Sequence, residues 1–191
     1  HVVAGTLATG AGLLLPRSGF AQDDAATPAA LTETIVTPTR EEFQREIVEE
    51  LGYTEAATPG GVFIDSNVND IQTIHPYLSE DAASNAVVGM IYDGLVGGDI
   101  RTGLPAPTGL ADYWEIAPDG VTYTFHLNQN ARWHDGEPVT AEDVQFSFDA
   151  LGNPDVPSAY GQRFRDSTAS WRAIDDYTYE LVAKEPLWTY L

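Results

Sequence analysis

The stretch Trp133-His134-Asp135-Gly136-Glu137-Pro138-Val139-Thr140-Ala141-Glu142-Asp143-Val144 decides how this chain is read. Its first four residues form a turn around a glycine. Thr140 then stands as a helix N-cap, with Asp143 at the third helical position where a capping box usually carries Glu. Val144, Phe148 and Leu151 recur at helical spacing and predict one buried stripe, which Gly152 and Pro154 end. His134 and Asp135 also look like half a metal site or an acid–base pair. Zinc or nickel needs converging ligands, however, and the nearest other histidine, His126, lies across a turn. Glu137, Glu142 and Asp143 admit a reading as the paired carboxylates of a glycosidase. Carboxylates at a helix start more often serve the helix dipole. The expectation for the whole stretch is therefore structural.

Outward from it the pattern turns to strands. From Thr122 to Leu127, Tyr123, Phe125 and Leu127 face one way and Thr122, Thr124 and His126 the other. Leu110 to Glu115 precedes that run across Pro118-Asp119-Gly120, a hairpin signal. Trp171–Ile174 and Tyr177–Val182 flank Asp175-Asp176 as a second hairpin. Tyr113, Trp114, Tyr123, Phe125 and Trp133 are expected to be core. Further upstream, Ser84 is expected to cap a helix with Val87, Val88, Ile91 and Leu95 on one side and Gly94 as its end. Ile71 to Leu78 reads as extended, because Pro76 holds His75 out of the helical region. Val62-Phe63-Ile64 reads as a short buried strand. The polar run Asp65–Asp70 follows it directly, where α/β sheets tend to place ligand contacts.

The first sixty residues have a different character. Val2 to Leu15 is apolar or small and uncharged, like the middle of a secretory signal peptide and too short for the ~20 residues of a membrane span. Gly19 and Ala21 supply small residues at −3 and −1 of a cut after Ala21; a buried Gly/Ala-rich helix is the alternative. Gln22 to Thr39 reads as a linker. Thr39-Arg40-Glu41-Glu42 is a capping box, Phe43, Ile47, Val48 and Leu51 share a helical face, and Gly52 stops the helix.

The 191 residues hold 9 Lys+Arg against 29 Asp+Glu, a net charge of −20. That charge excludes a general phosphate-backbone binder and argues against docking on anionic lipid. The absence of cysteine removes disulfides, a thiol nucleophile, iron–sulfur clusters, cysteine zinc sites and a cysteine for lipid attachment from these residues. No P-loop, dinucleotide-type glycine motif or Ser-His-Asp order is present.

Tyr92-Asp93-Gly94-Leu95-Val96, Leu110-Ala111 with Trp114, Asp119 through Leu127, and the Trp133–Val144 run together resemble the family 5 extracytoplasmic solute-binding proteins of peptide, dipeptide and nickel ABC importers. The second hairpin and Glu185-Pro186 continue the likeness, which spans about residues 61–191. The resemblance implies an α/β, periplasmic-binding-protein-like fold with two lobes (class II type), of which this chain holds part of the first. The expected division is a signal-peptide remnant at 1–21, a linker and acidic amphipathic helix at 22–60, the first strand and loop of the hinged core lobe at 61–79, and an incomplete smaller α/β subdomain at 80–191. The implied function is not enzymatic. It is capture of a peptide or related solute outside the cytoplasm and its delivery to ABC permease subunits in the membrane. The resemblance implies no cofactor, no nucleic acid partner, a monomer, and a periplasmic or cell-surface location. By the resemblance, Asn67, Val68 and Asn69 line the cleft, where their backbone groups can pair with an extended peptide. Ser84 and Asn85 sit at a helix N-terminus suited to a carboxylate, and Tyr92 presents a ring. Trp133, His134, Asp135, Gly136, Thr140 and Asp143 are expected to form a structural motif that holds no metal. Two other readings are a secreted carboxylate-pair hydrolase using Glu137 or Glu142, and an extracytoplasmic chaperone or interaction protein docking through the helix at 41–51.

Overall fold

The alternation along Thr122–Leu127 sets the architecture, because it gives one strand a wholly apolar side and a polar side. In the computed structural model, which describes residues 33–52, 61–62 and 69–186, that strand lies in the middle of a sheet. The elements are β1 Ile35–Val36, α1 Arg40–Leu51, α2 Ala82–Ile91, β2 Gly97–Gly98, β3 Pro105–Ala106, β4 Ala111–Ile116, β5 Thr122–Leu127, α3 Ala141–Gly152, α4 Ala159–Ser167, β6 Thr168–Asp175 and β7 Thr178–Ala183. The main sheet has the order β1-β4-β5-β7-β6 with every pair antiparallel, and β2-β3 form a separate two-stranded ribbon. The fold is mixed α/β, as expected.

The apolar side of the sheet packs under α3 and α4. Trp114, Tyr123, Phe125, Leu127, Tyr179 and Leu181 meet Ala141, Val144 and Phe164 there, and all are buried. Phe148 stacks on Tyr179 at 5.4 Å between ring centroids, and Phe164 tilts against Trp171 at 4.8 Å. Such ring pairs add to the area they bury. Both hairpins form as the sequence predicts. In the first, Asp119 accepts the N–H groups of Val121 and Thr122, each at 2.9 Å, and Gly120 takes φ 69°. The Trp133–Gly136 turn closes through Gly136 N–H to Trp133 O at 2.9 Å, and Thr140 caps α3 reciprocally with Asp143.

Gly109 is required by a close approach. A Cβ there would stand 2.4 Å from the Gly94 carbonyl oxygen and 2.8 Å from that of Leu95. The next two residues, Leu110 and Ala111, donate their N–H groups to those same carbonyls. This seam lays the 94–95 segment beside the start of β4.

Several expectations need correction. α2 is capped by Asp81, whose carboxylate accepts the Ser84 N–H at 2.8 Å, so Ser84 lies inside the helix. The helix ends at Ile91 with Tyr92 as its C-cap, two residues before Gly94. Pro76–Leu78 form a turn, with the N–H groups of Leu78 and Ser79 both reaching His75 O at 3.2 Å, so 71–78 is not extended throughout. Ile35 and Val36, within the segment read as a linker, pair with Ile116 and Glu115. Tyr113 leaves the core for the polar side of the sheet, where it stacks on His126 at 4.2 Å. Trp133 is 41% exposed, because the tight turn carries it outward. The helix α4 was not anticipated. The expected signal segment, most of the linker and the strand proposed at 62–64 lie outside the described residues, apart from Val62.

Candidate functional site

The segment that leads into α2 and α2 itself carry the residues expected to meet a ligand. Ser84 organises them. Its side chain is fully buried, and its hydroxyl accepts the backbone N–H groups of Gln72 at 2.9 Å and Thr73 at 3.3 Å. It therefore fastens the 71–75 segment to the first turn of α2. Ser84, expected to meet a ligand, thus turns its oxygen inward to these two N–H groups. Hydrogen bonding from Ser84 holds the Asp81 carboxyl below its ordinary range.

The other end of the segment is tied to α3. Tyr77 donates its hydroxyl to Ser147 O at 2.9 Å, and burial pushes its phenol up. Tyr77 also meets the His75 ring edge-on at 5.8 Å, and its N–H reaches His75 Nδ1 at 3.2 Å. Ser79 is fully buried, and its hydroxyl has no partner among the described residues. Around these anchors Ile71, Ile74 and Leu78, with Met90 and Ile91 at the far end of α2, expose apolar surface. The result is a segment held at two points, with apolar groups turned outward.

The predicted contacts are not gathered at one point. Asn69 and Asn85 are exposed, and Asn85 donates its N–H to Asp81 O at 3.0 Å as part of the helix. Tyr92 is 44% exposed and closes the other end of α2. Seven residues of helix separate it from Asn85, about 10 Å along the axis. Asn67 and Val68 lie outside the described residues.

The Trp133–Val144 run is used structurally. Asp143 Oδ2 accepts both the N–H of Thr140 at 2.8 Å and its hydroxyl at 3.0 Å. Asp135 accepts the Glu137 N–H at 3.1 Å, and His134 is exposed. His126 pairs instead with Glu115, Nε2 to Oε1 at 3.1 Å. Among the described residues no group of three His, Asp or Glu side chains is placed to hold a metal ion. No described helix is long and apolar enough to cross a membrane.

Sequence reasoning missed two arginines. Arg101 donates to buried Asp99 at 2.9 Å, holding that carboxyl at about 2, and contacts Glu50 of α1. Arg40 reaches Asp112 at 2.9 Å. Their scarcity in so acidic a chain was the available signal.

Residues 107–191 match the model of the bacterial extracellular solute-binding proteins, family 5 Middle. The periplasmic oligopeptide-binding protein OppA of Salmonella typhimurium is 30% identical over 157 residues, an alignment that covers 70% of this chain and 28% of that protein. Haemophilus influenzae OppA, solved in complex with RPPGFSPFR, superposes with a TM-score of 0.57 at 30% identity, covering 61% of this chain and 26% of that one. NikZ from Campylobacter jejuni, solved in complex with Ni(L-His), gives 0.55 at 30% identity over 62% and 23%. The chain thus spans roughly a quarter of the length of the relatives it matches.

Proposed function

We propose, from the premise that residues 107–191 belong to the bacterial extracellular solute-binding proteins of family 5, that the protein of which they are part captures a peptide or related solute for an ABC importer. It works outside the cytoplasm and hands the solute to permease subunits in the membrane. ATP is hydrolysed by other subunits, and the binding protein carries out no covalent step. Capture is a shift of population toward a closed form of two lobes, driven by contacts that only the closed form makes.

The observation that carries this reading is the pinned segment 69–80. Ser84 and Tyr77 hold its backbone at both ends, at 2.9 Å each. A segment held in this way keeps Ile71, Ile74 and Leu78 turned outward for apolar contact with a ligand. We assign Asn67, Val68 and Asn69 to the same site, with an amide from Asn85 near the α2 start and a ring from Tyr92. The Trp133–Asp143 motif is assigned a structural role, as a turn and the cap of α3. The use of Asp143 as a cap weakens the hydrolase reading, which needs free paired carboxylates. The protein acts as a monomer.

The test is a thermal-shift screen of the complete gene product against a peptide mixture, sugars and nickel–histidine. A ligand that prefers the native state raises Tm by mass action. A rise with one class identifies the cargo. No rise with any of them refutes the reading.

A further inference from the structure

The chain carries Asp-Gly at Asp93-Gly94, Asp119-Gly120 and Asp135-Gly136. In such a step the glycine nitrogen, with no Cβ beside it, can reach the preceding side-chain carboxyl and close a five-membered ring. Two of the three steps are locked on both sides. Asp119 accepts the N–H groups of Val121 and Thr122, each at 2.9 Å, and the Thr122 hydroxyl at 2.7 Å. Gly120 meanwhile donates its N–H to Ala117 O at 2.9 Å. Hydrogen bonding from Thr122 also holds the Asp119 carboxyl below its ordinary range, in the charged form that does not release an oxygen. Asp135 accepts the Glu137 N–H at 3.1 Å, and Gly136 donates its N–H to Trp133 O at 2.9 Å.

Asp93-Gly94 is free on both sides. Among the described residues the Asp93 carboxylate has no hydrogen bond or ion pair, and the Gly94 N–H has no acceptor. Both residues are exposed and lie outside helix and strand. They stand between two fixed points. Before them, Tyr92 closes α2 by donating its N–H to Val88 O at 2.9 Å. After them, Gly94 O accepts the Leu110 N–H at 2.8 Å. Asp93 is thus the single residue that joins the end of α2 to the seam with β4.

We propose that Asp93-Gly94 is a site of spontaneous main-chain modification, which closes to a succinimide and reopens as isoaspartate, loosening the joint between α2 and the start of β4. The Gly94 nitrogen bonds to Asp93 Cγ, the Cγ–OH bond of the acid form breaks, and water leaves with the N–H proton. Water then adds back to the ring. Breaking the new N–Cγ bond restores aspartate. Breaking the original peptide bond instead leaves the main chain running through Cγ, one CH2 longer. Nothing is oxidised or reduced, and water is the only co-reactant. The longer link must shift Tyr92 or Gly94, since a single residue spans them. This chemistry stands whether or not the protein captures a solute.

The test ages the complete gene product in heavy-oxygen water at mildly acid pH, folded and in urea, and reads its peptides by mass spectrometry. Each passage through the ring leaves one heavy oxygen at that aspartate. In the folded chain, label and isoaspartate at 93 should exceed those at 119 and 135 by about tenfold or more, because opening either turn breaks at least two hydrogen bonds. In urea the three sites should converge, since the turns are gone. Asp93→Glu keeps the charge but needs a larger ring, and must lose the signal. In the modified fraction, amide exchange at Leu110 should be about fivefold faster, as for one lost hydrogen bond. Equal labelling of the three sites in the folded chain, a lead at 119 or 135, no label at 93, or a signal that survives Asp93→Glu overturns the modification site. Equal Leu110 exchange in modified and unmodified chains overturns the loosened joint.

Discussion

Ser84→Ala is the sharpest perturbation of the candidate site. The hydroxyl accepts two backbone N–H groups, at 2.9 and 3.3 Å, and is itself fully buried. Each hydrogen bond contributes about 1 kcal/mol net, and the longer one less, so the gross loss is roughly 1.5–2 kcal/mol. Alanine returns about 0.4 kcal/mol, because it is the better helix former inside α2. Gln72 is exposed, so its freed N–H turns to water and avoids the full cost of burial unpaired. The net destabilisation is therefore about 1 kcal/mol, concentrated in the 71–75 segment. Amide exchange at Gln72 and Thr73 should quicken by about fivefold to tenfold, since 1.4 kcal/mol is a factor of ten. Exchange in β5 and β7 should change only by the global shift. In the complete gene product the same change should weaken solute binding, because ordering a loosened segment costs affinity. Asn85→Ala, at an exposed neighbour, should leave both exchange rates alone. Equal exchange at Gln72 and Thr73 in Ser84→Ala and the parent would refute the pinning role.

Four further outcomes follow. Gly109→Ala should cost about 2–3 kcal/mol in urea unfolding, since its methyl would press into the Gly94 and Leu95 carbonyls at 2.4 and 2.8 Å. Phe125→Ala, in the middle of the core, should cost about 3–5 kcal/mol by the same assay. Thr140→Ala should cost about 1 kcal/mol by removing the α3 cap, whereas His134→Ala at an exposed turn should stay within about 0.5 kcal/mol. The fourth concerns acid. Asp99 sits at about 2 in the folded chain against 3.8 when free, chiefly because Arg101 hydrogen-bonds it. A depressed carboxyl stabilises above its unfolded value, and that contribution is lost as pH falls from about 4 through about 2. Asp99→Asn should flatten this part of an acid titration followed by the exposure of Phe43.

What the sequence made legible was local. The Asp119-Gly120 and Asp175-Asp176 turns, the alternation of Tyr123, Phe125 and Leu127, and the Thr140–Asp143 box each carry their cause within a few residues. The residues that escaped are governed from far along the chain. Ile35–Val36 are strand only because β4 offers a rim 80 residues later. Ser84 resembled a cap until the segment twelve residues upstream claimed its oxygen. Arg40 finds Asp112 across 72 positions, and Arg101 finds Glu50 across 51. Helix α4 is short and polar, with only Gly161 and Phe164 buried, too few to mark a helical period.

The strand order also sets a timetable for the chain as it is made. β1 and α1 are synthesised before β4, so the cover for that rim is waiting when the rim appears. β5 has no such provision: its partner β7 begins about fifty residues after it ends. At roughly 5–20 residues per second, the second edge of β5 stays without its neighbour for some 3–10 s. During that interval the Tyr123–Phe125–Leu127 side has neither β7 nor the finished α3–α4 layer over it. The nascent chain is thus most vulnerable to misassociation at β5, between emergence of the first hairpin and arrival of the second. A chaperone serving this protein would have that one stretch to shield.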